Sequence, residues 1–167
     1  EVEERLDSKG NIIKNVNEKD VRLSLKKAKL DGINSLAIAF MHSYINPDNE
    51  NKIAKIAFEE GFDQISVSHK VSPLIKLVGR GDTTIVDAYL SPILRRYVNQ
   101  VSEELKETNS TKLMFMQSNG GLTNAKFFHC KDALLSGPAG GVVSSVQTGK
   151  QAGYNKLYGF DTVSHTH

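Results

Sequence analysis

Apolar residues follow two different periods along the chain, and this predicts alternating strands and helices. The stretch "INSLAIAFMHSY" has consecutive apolar residues up to about Met41, which is typical of a buried strand. In "FDQISVSH", Ile65 and Val67 fall on one face of a second strand. Two further strands are predicted in "KLMFMQS" and from Lys156 to Asp161. Near the N-terminus, two short alternating runs around "SKGN" predict a hairpin in which Gly10 takes a positive φ.

Segments with the apolar period of a helix lie between these strands, and capping residues mark the ends of the predicted helices. Four helices are predicted: one from the N-cap Asn17 to Gly32, one from the N-cap Asn46 to Gly61, one from about Thr83 to Thr108, and one from near Pro138 to about Ala152, ended by Gly153. Pro92 lies inside the third helix and predicts a kink there or a break between two helices. The apolar stripe of the second helix is predicted to comprise Ile53, Ile56, Ala57 and Phe58.

This alternation predicts the α/β class, with a mixed or mainly parallel sheet and flanking helices. The composition of 39% hydrophobic and 24% charged residues is that of a globular protein. A net charge of +2 in 167 residues argues against a nucleic-acid-binding surface, and no apolar run is long enough to predict a membrane helix. The single cysteine, Cys130, excludes an internal disulfide and favours a cytoplasmic location.

Glycine is concentrated near the C-terminal end, where eight of the thirteen glycines lie between Gly120 and Gly159. In "SGPAGG", a helix that starts near Pro138 would leave the amides of Ala139 and Gly140 free to face an anion. The alternative is that these small residues let two helices cross closely. The pattern matches neither a Walker loop nor the dinucleotide fingerprint, so it does not decide between the two interpretations.

Several polar residues at predicted strand ends or helix starts could carry chemistry, and each has a structural alternative. Asp161 is either a magnesium ligand at a strand tip or a capping residue. In "GRGDTT", Asp82 is expected to be an N-cap, while Arg80 could clamp a carboxylate or phosphate. The "SNGG" stretch is a simple turn or presents Ser118 and Asn119 to a ligand at a strand's carboxyl edge.

The histidines give a weaker indication of acid–base or metal-binding chemistry. His42 and His69 each end a predicted strand beside a serine, where either could act as an acid–base group, although a structural role is the more usual one for such a residue. His129 stands beside Cys130, but no second pair follows at metal-ligand spacing. His165 and His167 are expected to belong to a frayed terminus.

Four stretches, in this order, resemble the hydantoinase A/5-oxoprolinase family: "FMHSYINPDNE", "ISVSHKVSPLIKLVGRGDTTIVDAYLSPILRRYV", "FMQSNGGLT" and "LLSGPAGGVVSS". The likeness extends from "ERLDSKG" to "GFD", and within the family the second stretch is most similar to the ATP-dependent 5-oxoprolinases. The resemblance implies a longer polypeptide with an actin-like, ribonuclease-H-like ATPase architecture in two lobes. Residues 1–135 would then be the back half of the first lobe, and residues 136–167 a connector helix and the first strand of the second.

The same resemblance assigns expected positions to the candidate residues. Those expected near the nucleotide are Gly137, Ala139, Gly140, Gly141 and Asp161, with Asp161 also the expected Mg²⁺ ligand. Those expected near the substrate are Arg80, Asp82, Thr83, Ser118, Asn119 and Gly120. In the family a glycine- and threonine-rich loop follows "GFD", but here "TVSHTH" follows, and the family's other phosphate loop would precede Glu1. We therefore expect an internal piece of the enzyme with apolar faces left uncovered along "VVSSV" or the last strand.

The function implied by the resemblance is ATP-dependent opening of a cyclic amide, with 5-oxo-L-proline giving L-glutamate. ATP and Mg²⁺ are the implied cofactors, and phosphorylation of the amide oxygen is the step that would make the ring easier to open. The alternatives are an N-methylhydantoinase, a subunit of an acetone-type carboxylase, or a non-catalytic interaction segment. The implied partners are the remaining lobes of the polypeptide and further copies of it in a homo-oligomer, with no nucleic acid and no membrane. The 167 residues alone are expected to be inactive.

Overall fold

A computed structural model of the chain describes residues 1–106, 113–125, 128 and 130–160. The chain divides into two compact units, Glu1–Ile93 and Leu94–His167. Asp161, His129, His165 and His167 lie outside the described residues, so the expectations for them are not addressed by the structure.

The first unit contains two small sheets and the helices that accompany them. Its elements in chain order are β1 (Arg5–Leu6), β2 (Ile12–Lys14), α1 (Glu18–Leu30), β3 (Ser35–Ile38), α2 (Asp48–Glu59), β4 (Gln64–Val67), α3 (Ser68–Val71) and the N-terminal part of α4 (Leu77–Lys106). Strands β1 and β2 form the predicted hairpin, and strands β3 and β4 pair in parallel with Ser35 opposite Gln64 and Ile38 opposite Val67.

Local side-chain chemistry explains where the first elements begin. The Asp7 carboxylate accepts hydrogen bonds from the backbone N–H groups of Lys9 and Asn11, each at 2.8 Å, and this closes the hairpin turn. The predicted N-cap of α1 is confirmed, because the Asn17 side chain accepts the Lys19 N–H at 3.1 Å. The Asn46 side chain accepts the Asp48 N–H at 2.9 Å, although α2 itself starts one residue later than predicted, with Pro47 in the N-cap position.

The core of this unit lies around the parallel pair and α1 and α2. Its buried cluster consists of Val16, Val21, Ile38, Ile53, Ile56 and Val67. Burying such branched aliphatic side chains contributes roughly 1.5–3 kcal/mol each, so this cluster is the main apolar contribution of the unit. The predicted stripe of α2 is confirmed for Ile53, Ile56 and Ala57 but wrong for Phe58, which is 75% exposed on the opposite side of the helix.

Helix α4 differs from the sequence prediction at its N-terminal end. It starts at Leu77 instead of Thr83, so Gly79, Gly81 and Asp82 lie inside the helix and Asp82 is not its N-cap. Interior glycines cost a helix about 1 kcal/mol each, which is why the sequence indicated a loop. The Arg80 side chain is fully buried, and its anchoring favours the extra turns. The helix continues through Pro92, so the predicted break into two helices is wrong.

The second unit combines a short hairpin with a helix rich in small residues. It contains β5 (Met114–Met116), β6 (Leu122–Asn124), a 3₁₀ turn at Cys130–Asp132 and α5 (Ser136–Gln151). Strands β5 and β6 pair antiparallel across a turn in which Gly120 has φ +80°, and β6 was not predicted. Gly153 has φ +83° and ends the last helix region, as predicted.

The α/β class is confirmed, but the single mixed or mainly parallel sheet is not. The described residues form three separate two-stranded sheets, of which only β3–β4 is parallel. Residues 156–160 are not a strand, so that part of the predicted last strand is wrong. Within the described residues no strand pairs with this segment, and its residues are exposed.

The described part of the chain contains no helix with both the length and the apolar character that spanning a membrane requires.

The hairpin turn provides a stability test with a matched control. Gly10 has φ +84°, and a Cβ built on it would lie 2.7 Å from Ile45 Cγ2, whereas Gly32 has φ +83° with nothing within 4 Å of its Cβ position. Both Gly→Ala substitutions cost the left-handed backbone penalty of about 1–2 kcal/mol, and Gly10→Ala adds an overpacking cost of roughly 1–2 kcal/mol. We expect urea unfolding to show Gly10→Ala as clearly the more destabilising variant. Equal losses in the free energy of unfolding from the two variants would contradict the close approach of Gly10 to Ile45.

Candidate functional site

A group of buried polar residues lies at the carboxyl ends of the parallel strands β3 and β4. Ligands of α/β proteins bind at the edge of the sheet where parallel strands end. The chain after β3 brings Phe40 to Ser43 to this edge, and the chain after β4 brings Ser68 and His69 there. This edge therefore holds the first candidate site.

Glu50, in the first turn of α2, is the centre of the polar network at this edge. Its side chain is completely buried. One carboxylate oxygen accepts the Phe40 N–H at 3.0 Å and the Ser68 hydroxyl at 2.5 Å. The other oxygen accepts the backbone N–H of His69 at 3.1 Å and lies 2.6 Å from His69 Nδ1. Four donors thus surround a carboxylate that has lost all contact with water.

These contacts decide the charge of Glu50. Burial raises the pKa of the carboxyl, because it disfavours the charged form. The hydrogen bonds from the Ser68 hydroxyl, the His69 ring and the backbone outweigh burial, and the pKa of Glu50 lies below its ordinary value. Glu50 is therefore an ionised, buried acceptor at neutral pH.

Arg80 was expected to lie near a substrate, and the structure gives its guanidinium another set of partners. The side chain is completely buried, and its Nε donates to the Ser68 hydroxyl at 2.9 Å. One terminal nitrogen donates to the carbonyls of Leu74 and Ile75, and the other to those of Phe40 and Met41. All five N–H donors of the guanidinium have protein acceptors, so none remains for a ligand.

The neighbouring candidates on α4 differ from Arg80 in exposure. Asp82 is exposed on the helix, and the Thr83 hydroxyl donates to the Gly79 carbonyl at 2.8 Å within the same helix. The structure thus places Arg80 in the buried network but leaves Asp82 and Thr83 outside it.

Sequence reasoning missed Glu50 and Ser68, although the sequence carries an indication for Glu50. Positions 50, 53 and 57 share one helical face, and Ile53 and Ala57 on that face are buried. A glutamate on a buried stripe requires hydrogen-bond partners inside the protein. Ser68 had no such indication, because its role depends on the fold, which places its hydroxyl between Glu50 and Arg80.

In the second unit, the structure brings the "SNGG" turn and the start of α5 together. The Ser118 hydroxyl donates to the Asp132 carbonyl at 2.7 Å and accepts the N–H of Leu135, the residue before α5, at 3.0 Å. The Asn119 side chain accepts the Gly121 N–H at 2.8 Å. Ser118, Asn119 and Gly120 therefore lie beside the segment that contains Gly137 to Gly141, although the sequence analysis had assigned the two groups to different ligands.

The start of α5 does not present the free amides that were expected there. The helix begins at Ser136, so the Ala139 N–H donates to the Leu135 carbonyl at 3.0 Å. The Ser136 N–H donates to Ala133 at 3.1 Å, and Pro138 has no N–H to offer. The free amide expected at Ala139 is therefore not observed. The alternative, a close crossing of two helices, is not observed at these glycines either: a Cβ on Gly137 would have nothing within 4 Å, and one on Gly140 would lie 3.8 Å from Met116 Cγ, an ordinary contact.

The expected uncovered apolar face is present on α5 and the segment after it. Val142 is 64% exposed and Phe160 is 95% exposed. A groove of about 240 Å³ runs between them, lined by Gly141, Val142, Ser145, Val146, Leu157, Gly159 and Phe160. Among the described residues there is no cluster of three His, Cys, Asp or Glu side chains that could hold a metal ion. The expected Mg²⁺ ligand, Asp161, lies outside those residues.

Comparison with known proteins gives matches over most of the chain. Two family models match, "Hydantoinase/oxoprolinase N-terminal region" over residues 1–61 and "Hydantoinase/oxoprolinase" over residues 80–166. The 5-oxoprolinase of Saccharomyces cerevisiae is 43% identical over 90% of this chain, and 5-oxoprolinase 1 of Arabidopsis thaliana is 38% identical over 93%. The chain spans only 12% and 13% of the length of these two relatives.

Two solved structures share the fold. Nucleotide-free acetone carboxylase superposes with a TM-score of 0.83 at 27% identity, covering 92% of this chain and 22% of its own. The ATP-dependent caprolactamase from Pseudomonas jessenii superposes with a TM-score of 0.81 at 25% identity, covering 92% of this chain and 23% of its own.

Acid unfolding tests the charge of Glu50. A carboxyl whose pKa is lower in the folded chain than in the unfolded chain stabilises the fold above its unfolded pKa of about 4.3. That contribution is lost as the pH falls from there through the folded pKa. We expect Glu50→Gln to lower the free energy of unfolding at pH 7 by roughly 3 kcal/mol and to reduce its dependence on pH below about 5.

Glu59→Gln is the matched control, since Glu59 is on the same helix and more than a third exposed. It should change stability at pH 7 only slightly. Urea unfolding between pH 3 and pH 7 measures both variants. If Glu50→Gln kept the stability of the unsubstituted chain at pH 7, Glu50 could not be the ionised centre of the network.

Proposed function

The chain belongs to the hydantoinase/oxoprolinase family, and on this basis we propose that it is part of an ATP-dependent enzyme that hydrolyses a cyclic amide. The substrate we propose is 5-oxo-L-proline and the product L-glutamate. The observation that carries the proposal is the 43% identity to a 5-oxoprolinase over nearly the whole chain. The similarity to the structure of an ATP-dependent caprolactamase supports the same class of substrate, because caprolactam is also a cyclic amide.

The proposal extends to a polypeptide longer than this chain. Residues 1–135 would contribute the back half of one lobe of an actin-like ATPase, and residues 136–167 the connector helix and the start of the second lobe. The remaining lobes of the same polypeptide and further copies of it are the proposed partners. The α/β architecture of the described residues is compatible with this assignment.

ATP is the proposed cofactor, and it would supply phosphoryl transfer to the amide oxygen, which makes the ring more reactive towards water. At the start of α5, the Ser136 and Ala139 amides already have carbonyl partners and are not offered to a phosphate. We also propose that three glycines lie near the nucleotide, Gly137, Gly140 and Gly141, and that Asp161 is a ligand of Mg²⁺. In the second unit, the Ser118 hydroxyl accepts the N–H of Leu135 and so holds the residue before α5 in place.

A carboxylase is the second candidate, and two observations favour it. The acetone carboxylase structure has a TM-score of 0.83 over 92% of the chain. The acetophenone carboxylase gamma subunit of Aromatoleum aromaticum is 25% identical over 96% of the chain. Both candidates use a carbonyl compound, and they differ in whether water or a carbon dioxide equivalent is incorporated.

The two candidates are separated by assaying the full-length polypeptide with ATP. We expect release of glutamate and phosphate in the presence of 5-oxoproline, and no ATP-dependent fixation of ¹⁴C-bicarbonate with acetone or acetophenone. The measurement is glutamate by coupled assay and acid-stable ¹⁴C by scintillation counting. Fixed ¹⁴C without glutamate would overturn the hydrolase proposal and favour the carboxylase.

The 167-residue chain alone should not turn over 5-oxoproline. The stretch after Asp161 lacks the paired glycines of the family's phosphate loop, and Val163 is β-branched and resists positive φ. Losing even one preorganised donor to a transition state typically costs about 10²- to 10³-fold in rate. Glutamate release by the short chain is compared with release by the full-length polypeptide at equal concentration. Measurable turnover by the short chain would show that the active site has been placed wrongly.

A further inference from the structure

The orientation of the His69 ring is fixed by a carboxylate that has no contact with water. Glu50 is fully buried and lies 2.6 Å from His69 Nδ1, and the same carboxylate oxygen also accepts the His69 backbone N–H at 3.1 Å. Backbone and ring are thus both held by Glu50. The His69 side chain is 13% exposed, so part of the ring reaches the surface.

The contact with Glu50 determines which ring nitrogen carries the proton. An ionised carboxylate can only accept hydrogen bonds, so Nδ1 must be the donor. In the neutral imidazole the other nitrogen, Nε2, is then the basic one. A histidine whose Nδ1–H is bound to a carboxylate is the arrangement that prepares Nε2 to accept a proton in general-base catalysis.

Three of the four hydrogen bonds of Glu50 do not depend on the imidazole. The carboxylate also accepts the Phe40 N–H, the Ser68 hydroxyl and the His69 backbone N–H, and these three would serve any side chain at position 69. The position of His69 also matters, because it is the second residue after β4, in the short helix α3, at the carboxyl edge of the parallel pair. A purely structural role does not require a basic ring at this edge.

We propose that His69 is the proton-transfer residue of the hydrolytic step and that Glu50 is its positioning residue. This inference rests on the proposed function. Nε2 accepts a proton from water as the water oxygen bonds to the ring carbon whose oxygen ATP has phosphorylated. The carbon–nitrogen bond of the ring then breaks, and the imidazolium returns the proton to the departing nitrogen. The acyl phosphate that is left reacts with a second water to give the carboxylate and inorganic phosphate. Nδ1 keeps its proton on Glu50 throughout, and the positive charge on the ring is stabilised by that carboxylate.

Two substitutions at position 69 separate the two ring nitrogens. In His69→Asn the side-chain amide nitrogen occupies the place of Nδ1 and can still donate to Glu50, but nothing replaces Nε2. His69→Gln extends further and loses the donor at the Nδ1 position. We expect the asparagine variant of the full-length polypeptide to keep its melting temperature and its KM for 5-oxoproline. Its kcat for glutamate release should fall at least 100-fold, the usual contribution of a general base.

His42→Asn is the matched control, because His42 lies in the chain after β3 as His69 lies after β4. The buried Nδ1 of His42 makes no hydrogen bond to the described part of the chain, so this ring has no carboxylate partner there. Its kcat for glutamate release should fall far less than that of His69→Asn. An asparagine variant at position 69 with normal kcat, in a polypeptide that opens the ring, would overturn this inference alone. Absence of ring opening by the unsubstituted polypeptide would overturn the proposed function and the catalytic role of His69 with it.

A second measurement does not depend on activity. In the ¹⁵N spectrum of the 167-residue chain at pH 7.5, we expect neutral His69 to show a protonated Nδ1 and a bare Nε2. Glu50→Gln should abolish this preference, because an amide can also donate to the ring. A protonated Nε2 and bare Nδ1 in the unsubstituted chain would overturn the inference whatever the activity assays show.

Discussion

The buried guanidinium of Arg80 is the interaction on which the polar edge of the first unit depends. Its two terminal nitrogens join the chain at Phe40 and Met41 to the chain at Leu74 and Ile75. These segments follow different strands and are distant in sequence, so their mutual position is set by one planar cation. Desolvating that cation costs several kcal/mol, and carbonyl dipoles on all sides are what makes the cost tolerable.

The network also keeps its two buried charges apart. Within the described residues no direct ion pair joins Arg80 to Glu50, and the Ser68 hydroxyl stands between them. Ser68 accepts from the guanidinium and donates to the carboxylate, so each charge polarises the bond to the other. The carboxylate thereby keeps an oxygen for His69, which a bidentate pair with Arg80 would have occupied.

Local patterns were sufficient to predict the elements whose ends depend on local chemistry. The Gly10 turn, the Asn17 cap and the stop at Gly61 follow from φ preference and side-chain hydrogen bonding over a few residues. The start of α4 could not be predicted in this way, because glycines at 79 and 81 indicate a loop and only the distant partners of Arg80 favour helix. The three separate sheets were missed for a similar reason, since strand pairing is decided by contacts between segments that periodicity does not identify.

The roles of the candidate residues could not be predicted for the same reason, because they depend on partners that are distant in the sequence. Arg80 was singled out for its charge, but a charge says nothing about whether its partner is a ligand or the protein's own backbone. Histidine at position 69 was given a structural role as the more usual one, because its partner Glu50 lies 19 residues earlier on another element. Once the fold places a buried, ionised carboxylate on Nδ1, the ring is no longer an isolated surface histidine. Its chemistry is then determined by a residue that the sequence around it does not contain, and the same network that orders the edge also orients the Nε2 atom of His69.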